Sequence, residues 1–177
     1  MQYALKNGST VDIRPARTDD AQALIDVMTL ADSQSRFLGR NPGEFSATIE
    51  KERELIERKT GNPDGSFCVA EYEGKVVGLC SVHRLRRGER FRHRAVCSFI
   101  LLKECWGLGI GGKMMENCIA WCRENGLLQL ELNVVKDNER ALRMYQSFGF
   151  EIVGTMPRAL QYPDGTFADE YMMVKML

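Results

Sequence analysis

The stretch CWGLGIGGKMM, Cys105 to Met115, places four glycines within six residues and then runs into a helical pattern. A helix N-terminus carries unpaired N–H groups and a partial positive charge. Glycines let a large guest come within hydrogen-bonding distance of those groups. A phosphate is the guest that such a loop suits.

Working outward from the loop, Phe91 to Leu102 predicts a long strand that ends at it. Ile110 to Glu124 predicts a helix with Ile110, Met114, Cys118, Trp121 and Cys122 on one side and Gly126 as its stop. Leu128–Val135 alternates as a strand does, and Asn138 to Phe148 reads as a helix capped by Asn138 and stopped by Gly149. Phe150–Met156 and Tyr171–Leu177 predict the last strands, joined through Pro163-Asp164-Gly165. Upstream, Tyr3–Leu5 and Val11–Arg14 pair through Asn7-Gly8, a common hairpin signal. A helix capped by Thr18 or Asp19 runs to about Asp32, and a second, highly charged one covers Glu44 to Lys59. Ser66–Tyr72 and Val76–Leu85 form a further hairpin around Glu73-Gly74-Lys75. The order predicts one α/β domain over residues 1–177, with a mixed, mostly antiparallel sheet of about seven strands flanked by helices.

Composition narrows the function. Lys+Arg and Asp+Glu both total 24, so net charge asks for neither nucleic acid nor membrane. No apolar run is long enough to span a bilayer, and Met1-Gln-Tyr-Ala-Leu-Lys lacks the apolar core of a signal peptide, so a cytoplasmic location is expected. Six cysteines, Cys68, Cys80, Cys97, Cys105, Cys118 and Cys122, form no C-x-x-C, and only two histidines accompany them. Reduced, core-filling thiols and no metal site are the expectation. His83 to Arg94, HRLRRGERFRHR, holds six Arg, both His and one Glu; so dense a charge run reads as a solvated hairpin tip, with nucleic acid disfavoured because only Phe91 is interleaved.

Gly107-x-Gly109-x-x-Gly112 also satisfies the dinucleotide fingerprint, with Glu131 about 20 residues on. That reading needs the loop directly after the first strand of several βα units. Here Lys103-Glu104-Cys105-Trp106 intervenes, too little chain follows Gly112, and Glu131 lies inside its strand. The dinucleotide reading is therefore set aside.

FILLKECWGLGIGGKMM and LELNVVKDNERALRMYQSFGFEIVGT together resemble the GNAT acetyltransferase superfamily. The first block resembles that family's acetyl-CoA pyrophosphate loop, with Trp106 where Arg or Gln is usual. The second resembles its N-x-x-A-x-x-x-Y-x-x-x-G-F block, in Asn138, Ala141, Tyr145, Gly149 and Phe150. The resemblance covers roughly residues 91 to 156. It implies that acetyl-CoA is held by Trp106, Gly107, Leu108, Gly109, Ile110, Gly111 and Gly112, chiefly through backbone amides. It implies a β-bulged strand at Phe99, Ile100 and Leu101 whose backbone pairs with the pantetheine arm and polarises the acetyl carbonyl. Asn138 is an N-cap by its own residue type, and the resemblance adds a cofactor contact. Tyr145 is a core aromatic by spacing alone; the resemblance places its hydroxyl beside the thioester sulfur, where it can protonate the leaving thiolate.

The general base has no motif. Ala95 occupies the position where many family members carry Glu. His93 lies two residues earlier, on the same face if the strand is extended, and its ordinary pKa suits a base. Glu131 and a water chain are the alternatives. The expected function is an acetyl-CoA-dependent N-acetyltransferase acting on a small primary amine or amino-acid analogue, with a homodimer as one assembly and no membrane partner. The pattern GT…DG…DEYMM near the C-terminus leans toward small-molecule acceptors. The other readings are a non-catalytic acyl-CoA-binding regulator on the same fold, and an acetyltransferase of protein N-termini or lysines. Acceptor choice is expected to rest on the first two helices and the Tyr162–Ala168 loop.

Overall fold

Apolar alternation in the first third of the chain becomes strands in a computed structural model that describes residues 1–85 and 88–177. Arg86 and Arg87 of the arginine-rich segment lie outside the described residues. The described elements run β1 (Gln2–Ala4), β2 (Thr10–Pro15), α1 (Ala21–Gln34), α2 (Ile49–Thr60), β3 (Gly65–Tyr72), β4 (Lys75–Arg84) and β5 (Arg94–Leu101). They continue as α3 (Ile110–Glu124), β6 (Gln129–Val135), α4 (Glu139–Ser147), β7 (Glu151–Gln161) and β8 (Phe167–Met176). The described strands form one sheet in the order β1-β2-β3-β4-β5-β6-β8-β7, eight described strands rather than about seven, and among them only the β5–β6 pair is parallel.

Several boundaries move for identifiable reasons. The helix expected from Glu44 starts at Ile49, because Thr48 accepts from the Lys51 N–H as N-cap, while the Glu44 carboxylate turns back to accept from the N–H and Nδ2 of Asn41. The helix expected at Thr18 opens as a 3₁₀ turn, since the Asp20 carboxylate is taken by the Arg17 N–H and the Arg14 guanidinium. The strand expected from Phe91 starts at Arg94, because Glu89–Phe91 is a 3₁₀ turn. The last hairpin is longer than the expected strands Phe150–Met156 and Tyr171–Leu177. β7 is the sheet edge, and a register break between Met156 and Leu160 absorbs Pro157 and Arg158, which sits at φ 51 with its N–H donated to Asp169 Oδ1.

Side-chain alternation divides the core between the two faces of the sheet. On one face Leu130, Leu132 and Val134 of β6 and Cys97 of β5 pack against Met114, Cys118 and Ile119 of α3 and Tyr145 of α4. On the other, Val69 and Leu79 pack against Leu24 of α1 and Ile56 of α2. Full burial of each Leu or Ile contributes about 1.5–3 kcal/mol, so both helix layers are firmly seated.

The feature that positions the site is where one strand pair stops. β5 and β6 are paired only at Arg94↔Gln129, Ala95↔Leu130 and Val96↔Glu131. Beyond that point β5 continues to Leu101 and β6 to Val135 without pairing, so the sheet opens into a wedge. At its closed end Arg94 grips Glu131 with Nε and with Nη2, the latter 2.7 Å from Oε2.

Candidate active site

The wedge opens into a cleft of about 860 Å³, within the range of small-molecule sites. One wall is the glycine loop. Gly107 and Gly109 sit at φ 84 and 93, where a side chain would be strained. Gly109 is the N-cap of α3 and supplies no side chain, and the helical ladder begins with the Lys113 N–H on the Gly109 carbonyl. The amides of Ile110, Gly111 and Gly112 therefore lack helical acceptors, and Gly109, Gly111 and Gly112 line the cleft. A Cβ on Gly111 would come 3.2 Å from the Met144 sulfur, so this glycine lets α3 lie close against α4.

Trp106 also lines the cleft. Its Nε1 donates to the Leu101 carbonyl at 2.9 Å, fixing the indole, and the Arg140 guanidinium lies 5.2 Å from the ring centroid. The indole thus holds a cation from α4 beside Gly107. Leu108 and Ile110 are placed differently from the rest of the loop. Their side chains pack into the core, Ile110 fully buried, and only their backbone can serve a ligand.

Backbone direction on β5 follows from two bonds: Leu102 N–H donates to Val77 and Leu85 N–H to the Arg94 carbonyl. Even-numbered residues of β5 hence turn their polar groups to β4. Phe99 and Leu101 turn theirs toward the wedge, and Ile100 offers it only a side chain. The expected bulge is absent: β4 and β5 stay in unbroken register from Gly78↔Leu101 to Arg84↔Ala95. The free strand edge arises because β6 departs, not because β5 buckles.

Asn138 caps α4, its Oδ1 accepting from the Ala141 N–H at 3.2 Å, and it lines the cleft. Tyr145 is 8% exposed and packs between Phe99 and Phe150, with ring centroids 6.2 and 6.0 Å away. Its hydroxyl makes no bond to a described residue, and among the described residues no buried side-chain polar atom lacks a partner, so the hydroxyl opens to the cleft. Burial, with a smaller push from Cys97 and Cys118, raises its pKa. The hydroxyl keeps its proton at neutral pH and stands as a donor.

The two sequence candidates for a base lie elsewhere. His93 precedes β5 in a turn, so the extended-strand premise does not hold, and its carbonyl accepts from the Leu128 and Gln129 N–H groups. It stands about 20 Å along the strand from Phe99. Glu131 is clamped by Arg94 and also accepts from Gln129 Nε2. Neither residue lines the cleft.

Sequence reasoning missed two parts of the site. One is Glu170 on β8, a half-buried carboxylate that lines the cleft. It lay inside the DEYMM pattern without a role of its own, an acid alternating with Ala168 and Met172 on one strand face. The other is the loop after α1, where Ser35, Phe37, Leu38 and Gly39 close over the cleft. Asp32, whose side chain is 0% exposed, anchors that loop by accepting from Arg40 Nε at 2.8 Å and Nη2 at 2.9 Å. The Tyr162 hydroxyl donates to the Arg36 carbonyl at 3.1 Å, so the β7–β8 tip braces the same loop.

The chain is similar to known proteins in sequence and in fold. The model of the acetyltransferase (GNAT) family matches residues 28–150. The L-amino acid N-acetyltransferase AaaT of Escherichia coli is 31% identical over 185 residues, covering 94% of this chain and 98% of that one. A GNAT-family acetyltransferase from Streptococcus pneumoniae superposes with a TM-score of 0.88 at 26% identity, covering 94% of this chain and 99% of that one. At 21% identity yncA of Salmonella typhimurium, solved with its cofactor acetyl-CoA, shares the fold, with a TM-score of 0.82 over 94% of each chain. The chain spans 43% and 60% of the length of two further curated relatives.

Proposed function

This chain belongs to the acetyltransferase (GNAT) family, and from that premise we propose that it moves the acetyl group of acetyl-CoA onto the primary amine of a small molecule, an amino acid or amino-acid analogue. The observation that carries the reading is the wedge between β5 and β6 ending against an uncapped, glycine-lined helix N-terminus. Acetyl-CoA bound there supplies an activated thioester. The amides at the start of α3 and the Arg140 guanidinium hold the pyrophosphate. Phe99 offers a pantetheine arm its N–H and carbonyl and Leu101 its N–H, the Leu101 carbonyl being held by Trp106 Nε1, and an amide on that edge polarises the acetyl carbonyl. Asn138 donates to the arm through Nδ2, and Tyr145 donates its proton to the departing sulfur.

An amino-acid acceptor is supported by the nearly full-length likeness to AaaT and by the loop after α1, whose Phe37 and Leu38 line the same cleft as Glu170. Six free, buried cysteines fit a reducing compartment, so we place the reaction in the cytoplasm. The sheet ends on β7 with Ile152 and Val153 exposed, and a second copy of the chain is the proposed cover for that edge. The test is a panel of amino acids, small amines and short peptides offered with acetyl-CoA, read by free-thiol release and product mass. Acetylated amino acids or amines are expected. Acetyl-CoA binding without thiol release would make the chain a sensor, and acetylation of the peptides alone would move the acceptor to protein.

A further inference from the structure

The cleft has two chemically different ends. Lys6 and Arg140 stand at the glycine-loop end, where phosphates are to be held. The acids lining the cleft are Asp137, Glu139 and Glu170. Asp137 is exposed, and Glu139 is exposed and paired with Arg143 at 3.0 Å. Glu170 differs from both. It is half-buried, and its carboxylate makes no hydrogen bond or ion pair with the described residues. A half-buried carboxylate in the cleft without a described partner leaves its charge available to a cationic ligand.

Register fixes which side of the sheet that cation uses. Glu170 pairs with Val135 of β6 and Met156 of β7. Its neighbour Tyr171 packs with Val134 on the α3–α4 face, so Glu170 projects to the opposite face, with Ile100. That is the face covered by α1 and the Ser35–Gly39 loop, away from the face where Tyr145 and Asn138 stand. One strand spacing, about 4.8 Å, separates β8 from β6, whose edge borders the wedge, and a glutamate side chain spans that distance. A thioester lying in the wedge would thus have Tyr145 on one side and Glu170 on the other.

Building on the acetyltransferase reading, we propose that Glu170 is the catalytic residue that receives the acceptor, pairing with its ammonium group and then taking its proton. The carboxylate of Glu170 accepts one proton from R–NH₃⁺ and becomes the neutral acid. The freed nitrogen lone pair forms the bond to the acetyl carbon as the carbon–sulfur bond breaks. The sulfur takes the Tyr145 proton to leave as a thiol, and the second amine proton passes to the resulting Tyr145 phenolate by way of water. The product is a neutral amide, which no longer holds to the charge left when Glu170 releases its proton to solvent. This assigns the acceptor class: amines that are cations at neutral pH, with the charge at the reacting nitrogen.

The experiment compares the native chain with Glu170→Gln and Glu170→Asp on two acceptors. One is the best alkyl amine from the panel; the other is the acyl hydrazide of matching shape, which is uncharged at neutral pH. Glu170→Gln is expected to lower kcat/KM for the alkyl amine by about 10²-fold or more, and that for the hydrazide by less than about tenfold. The dissociation constant for acetyl-CoA is expected to stay within about twofold, and Glu170→Asp to recover part of the alkyl-amine activity. Equal losses on both acceptors would show that Glu170 handles no proton, and unchanged rates on both would show that it is outside the reaction; either overturns the proposal. A native chain that acetylates nothing in the panel would instead overturn the acetyltransferase reading.

Discussion

Replacing Gly109 by aspartate places one negative charge where the pyrophosphate is to lie. Gly109 sits at φ 93, yet space around it is open, the nearest atom being Leu5 Cδ2 at 4.0 Å. The left-handed conformation costs a side chain about 1–2 kcal/mol. An aspartate at the N-cap of α3 recovers much of that by facing the helix N-terminus. Folding should therefore be little changed, with Tm moving by about 2–4 °C or less. Binding should not be spared. At about 5 Å and an effective dielectric of about 20, each like-charge contact costs about 3 kcal/mol, and less where water penetrates. Against two phosphates a net penalty of about 2–5 kcal/mol, or about 30- to 5000-fold in acetyl-CoA affinity, is expected. Gly109→Asn has the same shape and backbone cost without the charge, so the Asp-to-Asn gap isolates electrostatics. That gap, measured by calorimetry, should shrink as salt rises. Equal dissociation constants for the Asp and Asn variants would refute the placement of an anion at this helix start.

The remaining expectations are separate tests. Tyr145→Phe keeps the packing on Phe99 and Phe150 but removes the proton donor; turnover should fall about 10²-fold while acetyl-CoA affinity holds, and single-turnover kinetics separate the two. At Asp20, burial pushes the pKa up, but bonds from Arg14 and the Arg17 N–H outweigh it and hold it below the ordinary carboxylate value. A folded-state pKa below the unfolded one means this contribution is complete above the ordinary carboxylate range and is lost as pH falls through the folded value. The native chain should therefore lose stability to acid more steeply than Asp20→Asn, as urea titrations from pH 6 to pH 2 would record. Burial raises the pKa of Glu52, which is 4% exposed on α2, with Lys59 opposing. Its folded value lies above the unfolded one, so ionised Glu52 weakens the fold above that value and the penalty fades as pH falls. Glu52→Gln should raise Tm at neutral pH and lose that advantage near pH 4.

By itself the sequence determined the local pieces of this protein. Period-2 and period-3.6 patterns placed α3 at Ile110–Glu124 to the residue, β6 within one residue of its start and α4 between its caps, because those signals are local backbone and face effects. The four glycines announced a helix start built to meet an anion, and family resemblance supplied the identity of the guest. Tertiary structure decided what those pieces surround. That β5 and β6 separate after Val96↔Glu131 is a fact of pairing between distant segments, which no local pattern records. His93 was two residues from Ala95 on paper, yet the 3₁₀ turn at Glu89–Phe91 delays the strand and leaves it at the far end. Glu131 looked free in sequence and is held by Arg94, a partner brought to it by parallel pairing. Glu170 stood in the DEYMM pattern without a role, because one acid in a strand is ordinary until register decides which face it takes and which described neighbours leave it unpaired. Side-chain type is written in the chain; the company a side chain keeps is set by contacts across the sheet.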